Sequence, residues 1–319
     1  MNCFSSLALA AVLAVSTAHA ESFPDKPITF VVPFAAGTAT DQIARALGNG
    51  VTAETKQAVV IDNKAGASGF IASQQVAKAP ADGYTVLITT NTTHAANEHL
   101  FKKLPYDPVK DYAPIAALGK GGQIMVVNPA FPAKTVAEFV AMAKKQPGKY
   151  SFGSGSSSSR IAGELFQQMA DVKLLHVPYK SNTLAVTDLL GGQIDMMITD
   201  TATGLPQIKS GKLRALGVSG SKRSPLAPEV PTIAEAGVKG YEMGYWFAAY
   251  APAKTPPAVV RRLNELLVNA AKSDAAKAAF YDPTGTEVFT TSPEELAKFQ
   301  AAESQKWGRI VKAAGIEPE

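Results

Sequence analysis

The chain has 319 residues, 46% of them apolar, and a formal net charge of +4 from 31 Lys and Arg against 27 Asp and Glu. The cations are interspersed with carboxylates rather than gathered into a stripe, which excludes a nucleic-acid footprint, and the length with its apolar content predicts a soluble protein of two lobes. The single cysteine, Cys3, lies ahead of the first apolar run, which excludes an internal disulfide and a thiolate metal site in the part that folds.

The first segment reads as an export signal. An apolar run at 7–15 is too short to span a bilayer, and it ends in Ala18-His19-Ala20, the small-x-small pattern of a cleavage site, so cleavage is expected after Ala20. Next come a buried strand at 28–33, a small-residue loop and a helix at 41–50. A strand at 59–61 is followed by a loop and a helix at 70–77, and a strand at 85–88 by a Thr/Asn/His segment at 89–97. The same order of strand, loop and helix restarts with strands at 124–127 and 150–152, helices at 135–145 and 161–170, a strand at 176–177, a helix at 183–190 and strands at 194–199 and 213–218. This is the pattern of parallel sheets with crossover helices, whose ligands sit at the carboxyl ends of the strands. A strand at 246–250, a helix at 259–271 and an amphipathic helix at 293–313, with Leu296, Phe299, Trp307 and Ile310 on one face, return the chain to its starting lobe. The expected organisation is a signal peptide at 1–20, a first lobe of 21–123 plus 247–319 and a second of 124–246. Two crossings make a hinge, and ligands favour the interface between such lobes.

The chemistry-bearing residues fall in the loops after the strands. In the first, Phe34, Ala36, Gly37 and Thr38 lead into a helix whose N-terminus favours negative charge, with Thr40 or Asp41 as an N-cap. Ala65, Gly66, Ala67 and Ser68 repeat the arrangement after the second strand. The run Ser154-Gly155-Ser156-Ser157-Ser158-Ser159-Arg160 follows a strand and opens a helix, which points to an anion-binding loop in which Arg160 grips a carboxylate with two hydrogen bonds. Asn91 and His94 lie in the segment facing the cleft. His99 and His176 read as packing or surface residues, and no histidine spacing suits a metal.

No Gly-x-Ser-x-Gly elbow, Walker loop or dinucleotide fingerprint occurs, so no cofactor is expected and the chain does not read as an enzyme. The alternatives are an acyl hydrolase using a loop serine with His94 as its base, and a ligand-sensing receptor that feeds no transporter.

Several segments carry a resemblance. Phe23-Pro24-Asp25-Lys26-Pro27-Ile28, Asn63-Lys64-Ala65-Gly66, Ala81-Asp82-Gly83-Tyr84, Leu104-Pro105-Tyr106-Asp107-Pro108, His176-Val177-Pro178-Tyr179-Lys180, Gly191-Gly192-Gln193-Ile194-Asp195 and Pro231-Thr232-Ile233-Ala234-Glu235-Ala236-Gly237 follow one another in an order that resembles the Bug proteins, or TctC family, the substrate-binding receptors of tripartite tricarboxylate transporters. The resemblance implies a monomeric periplasmic protein with an α/β Venus-flytrap fold of type II, each lobe a mainly parallel sheet flanked by helices. Its ligand is a small carboxylate, here a dicarboxylate, aliphatic or of phthalate type, passed to membrane permease subunits. It further implies that one carboxylate meets the first two loops and the other end meets the serine loop, Tyr179, Asp200 and Thr201. This sequence departs from the family pattern at Thr38-Ala39, where glycines are usual, at Ser158 and Arg160, and at Ser181-Asn182-Thr183-Leu184. All three departures fall on loops facing the cleft.

Overall fold

The computed structural model describes residues 23–318, so the expected leader lies outside the described residues. In the first lobe, β1 (Ile28–Val32), α1 (Ala39–Thr55), β2 (Val59–Asn63), α2 (Phe70–Ala77), β3 (Thr85–Thr90) and the short α3 (Asn97–Leu100) follow in order. The chain crosses on β4 (Tyr112–Val127). The second lobe then builds α4 (Val136–Lys145), β5 (Ser151–Ser154), α5 (Ser157–Ala170), β6 (Leu175–Pro178), α6 (Asn182–Leu190), β7 (Met196–Asp200), α7 (Thr201–Lys209) and β8 (Arg214–Val218). The return is β9 (Gly244–Pro252), and α8 (Pro257–Lys272), the turns α9 (Asp274–Ala276) and α10 (Asp282–Thr284), and α11 (Pro293–Ala313) complete the chain.

Strands pair in the order β2-β1-β3-β9-β4-β7-β5-β6, with β8 also on β4. β1 pairs in parallel with β2 and β3, and β5 with β6 and β7, whereas β4 and β9 run antiparallel to their neighbours. β4 belongs to both lobes, because Tyr112 to Gly122 pair with β9 while Gln123 to Val127 pair with β7. Glycine is required where the crossings touch: a Cβ on Gly121 would lie 2.6 Å from the Tyr245 hydroxyl.

Burial explains why these runs are strands: Ile28, Phe30, Val31 and Val32 are all fully buried, as are Ile124 to Val127. One core cluster packs α1 and α8 on the first sheet. Another joins Val31 and Leu87 to Met125, Phe152 and Phe166 and includes Trp246, Tyr250 and Trp307, so the lobes share apolar contacts. The amphipathic tail helix, expected on one lobe, packs on both β4 and α5. Its start is fixed by a capping box in which Ser292 and Glu295 exchange hydrogen bonds.

Candidate functional site

The carboxyl ends of β1, β3, β5 and β7 meet between the lobes around a cavity. The first lobe contributes Phe34, Thr38, Ala39, Thr40, Thr90, Asn91 and Thr92; the second contributes Gly155, Ser156, Ser158, Asn182 and Asp200; the crossing strands contribute Gln123, Tyr245 and Phe247. A second, larger space shares Phe34, Gly155 and Ser156 with it and extends to Gly66, Ser68, Gly69, Phe101, Ser154, Ser157, Arg160, His176, Pro178, Tyr179 and Lys180.

Among the described residues no Lys, Arg or His lines the smaller cavity, and Asp200 is the one charged residue that does. Its attraction for an anion comes from backbone instead. The N-termini of α1, α5, α6 and α7 open on it, and three of them are capped by a side chain on the third amide: Ser156 accepts from Ser159 N–H, Ser181 from Leu184 N–H and Asp200 from Thr203 N–H. The first amides of those turns are left outside the helical hydrogen-bond ladder. At α1 no side chain caps: Thr38 Oγ1 donates to Ala35 O at 2.7 Å, and no described residue accepts from Ala39 or Thr40 N–H. Two more groups of the wall, Asn91 Nδ2 and Thr92 Oγ1, are buried without a hydrogen-bond partner among the described residues. Asn91 is oriented by its own carbonyl oxygen, which accepts from Trp246 N–H at 3.3 Å.

Asp41 holds the first loop in place. Its Oδ2 accepts from Gly37 N–H at 2.9 Å and from Arg45 Nε at 3.0 Å. Burial pushes the Asp41 carboxyl up, but the bonds from Arg45, Gly37 and Asn63 outweigh it and hold the group below the usual carboxylate range. The Gly37 amide is therefore committed within the loop, and Ala36, Gly37 and Ala65 line neither space. Ala67 opens the turn Ala67–Gly69, in which Ser68 adopts φ of 51°.

Ser157 ties the lobes together. Its Oγ donates to Asn97 Oδ1 at 2.7 Å across the cleft, while Asn97 Nδ2 donates to Ser68 O at 2.9 Å and to the Tyr106 hydroxyl at 3.2 Å. The bond exists only with the lobes together, so Ser157→Ala should weaken ligand binding by about 1 kcal/mol, roughly fivefold, with little change in the thermal midpoint of the unliganded protein. Calorimetric titration beside a thermal melt checks both.

Other expected residues are engaged elsewhere. Ser159 Oγ donates to Ile198 O at 2.5 Å, Thr201 Oγ1 lies 3.0 Å from the Tyr245 hydroxyl, and neither residue lines either of these two spaces. The Tyr179 hydroxyl donates to Asp188 at 2.8 Å, and burial together with that carboxylate pushes its pKa up to about 12. Burial pushes the Glu164 carboxyl up, opposed by the nearby charge of Arg160.

His94, expected to face the cleft, is fully buried behind the wall. It stacks on Tyr250 at 3.9 Å, and its Nδ1 lies 2.8 Å from Thr93 Oγ1. His176, read as packing or surface, stacks on Phe152 and reaches the larger space, with Nε2 2.7 Å from Ser154 Oγ. Gln123, Tyr245 and Phe247 line the smaller cavity without having been expected there, and Asn182 lines it from the departing loop at 181–184. The alternation that puts Tyr245 and Phe247 on one face of a strand and the altered loop at 181–184 were the available signals.

Residues 43–316 match the pattern described as the tripartite tricarboxylate transporter family receptor, TctC. The chain belongs to this family. BugT of Bordetella pertussis (strain Tohama I) is 35% identical to it over 299 residues, covering 93% of this chain and 91% of BugT. Among solved structures, R. palustris Rpa4515 with adipate superposes with a TM-score of 0.90 at 34% identity, covering 93% of this chain and all of that one. The periplasmic binding protein BugD gives 0.89 at 33%, again over 93% of this chain and all of BugD. The chain thus has the two-lobed α/β fold of periplasmic binding proteins. The family is one of receptors, and BugD is a periplasmic binding protein. No helix among the described residues is long and apolar enough to cross a membrane.

Proposed function

We propose that this TctC receptor works in the periplasm, after cleavage following Ala20, as a monomer that encloses a dicarboxylate between its lobes and delivers it to the permease subunits of a tripartite transporter. The observation that carries this reading is the cavity itself. Helix N-termini from both lobes open on a space whose wall also holds Asn91 Nδ2 and Thr92 Oγ1, which have no partner among the described residues, an arrangement suited to one carboxylate without a cation. The adipate in Rpa4515 supports a carboxylate ligand. A second anionic end is accommodated because the larger space adjoins the first at Phe34, Gly155 and Ser156 and presents Arg160 and Lys180.

The Ser154–His176 contact brings a base to a loop serine, as a hydrolase requires. The next amide, Gly155 N–H, however, donates to Asn182 Oδ1 at 3.0 Å and is not available to an oxyanion. We therefore read the pair as part of the binding wall. The experiment is a calorimetric titration with a dicarboxylate and its monoamide: the diacid should bind more tightly, and Arg160→Ala should cost it about 1.5–3 kcal/mol. Equal affinities for the two ligands, or an unchanged Arg160→Ala protein, contradict the two-ended reading.

A further inference from the structure

We infer that Asn182 is a positioning residue: it holds the Asp200 carboxylate as an acceptor in the cavity wall, so that the protein selects carboxylates bearing a hydrogen-bond donor, a hydroxyl or ammonium group, next to the carboxylate. The inference rests on the carboxylate reading above.

Three observations carry it. Among the described residues Asp200 is the one charged residue lining a cavity whose opposite wall supplies donors, so a carboxylate entering it meets a like charge with no described cation beside it. A ligand made only of carboxylate and methylene has nothing to offer that group, whereas a hydroxyl or ammonium donates to it directly. Asp200 is also oriented from within the protein. Its Oδ1 accepts from Thr203 N–H at 2.8 Å, and its Oδ2 accepts from Asn182 Nδ2 at 3.1 Å. Finally, Asn182 is itself fixed. It is buried at the start of α6, and its Oδ1 accepts from Gly155 N–H at 3.0 Å, which settles which end of the amide is the donor. One side chain thus joins the starts of α5, α6 and α7 and decides which carboxylate lone pairs are left for the cavity. Each ionised oxygen accepts more than one hydrogen bond, so these partners leave acceptor capacity on the cavity side.

The test uses matched acids of four to six carbons, each as the plain α,ω-dicarboxylate, its 2-hydroxy form and its 2-amino form, titrated into the wild type, Asn182→Ala and Asp200→Asn. The wild type should prefer the 2-hydroxy or 2-amino form of at least one set by tenfold or more. Asn182→Ala should bring that ratio to within about threefold of unity, with a loss of affinity for the 2-hydroxy and 2-amino forms at least threefold larger than any loss for the plain acid. Asp200→Asn keeps a good N-cap and removes the charge, so it should erase the preference and tighten binding of the plain acid. A wild type without preference overturns the inference and leaves the carboxylate reading standing. So does an Asn182→Ala protein that loses affinity for all forms by the same factor, the signature of a merely structural role. If no member of any set binds the wild type, the carboxylate reading itself fails and this inference with it.

Discussion

Gly155→Ala should abolish ligand binding and destabilise the protein by about 3 kcal/mol or more, at the upper end of the range for overpacking. A Cβ at this position would lie 1.9 Å from the Ser181 carbonyl carbon and 2.1 Å from Asn182 N. Both are backbone atoms at the start of α6, so no side-chain rotation relieves the clash. The β5–α5 loop has to move away, which breaks the Gly155 N–H bond to Asn182 and displaces Ser156 and Ser158 from the cavity. At about 2–4 °C per kcal/mol for a chain of this size class, the thermal midpoint should fall by roughly 6–12 °C. Calorimetric melting and titration of the variant check both effects, and a protein with wild-type midpoint and affinity would show that the loop tolerates a methyl group.

Acidification should weaken the fold through His94. Burial lowers its pKa from 6.5 to about 3 in the folded protein. In the unfolded chain the imidazole titrates near 6.5, so between these values the unfolded state binds a proton that the folded state excludes, and stability falls as pH falls. The contribution is fully present above pH 6.5, declines below it by about 1.4 kcal/mol per pH unit and levels off below pH 3. At pH 5 the loss is about 2 kcal/mol. His94→Gln should be less stable at neutral pH, because the ring stacked on Tyr250 and edge-on to Tyr112 is lost. Its stability should nevertheless depend less on pH between 7 and 5. Urea unfolding of both proteins at the two pH values measures the difference, and parallel pH dependences would exclude His94 as the titrating group.

The sequence showed the parts of this structure that depend on local pattern. Buried runs such as Phe30-Val31-Val32 and the serine run that opens α5 announce strand and helix start through neighbours in sequence. It did not show the first part of β4, because Pro114, Gly119, Gly121 and Gly122 weaken any strand reading and only pairing with the distant β9 makes it extended. α7 went unread for a similar reason, since Gly204 and Pro206 interrupt it.

The candidate site divides along the same line. Thr38, Ser156 and Ser158 could be placed at a cavity because they sit at helix starts, whereas Gln123, Tyr245 and Phe247 come from crossing strands whose meeting is set by topology. His94 was placed in the cleft by the polar character of its segment. What buries it is an aromatic set, Tyr106, Tyr112 and Tyr250, brought together from far along the chain. Gly37 was expected to offer its amide to a ligand, but Asp41, four residues on, takes it first.

The central claim is that a carboxylate is held between the lobes by neutral donors at helix starts. The most direct test is a crystal structure of the protein with a dicarboxylate that raises its melting temperature. The account predicts one carboxylate within hydrogen-bond distance of the α1 start, of Asn91 or Thr92, and of the α5 start, with the other end toward Arg160. A ligand bound outside this cavity, or one whose only ionic contacts are surface lysines, would contradict it.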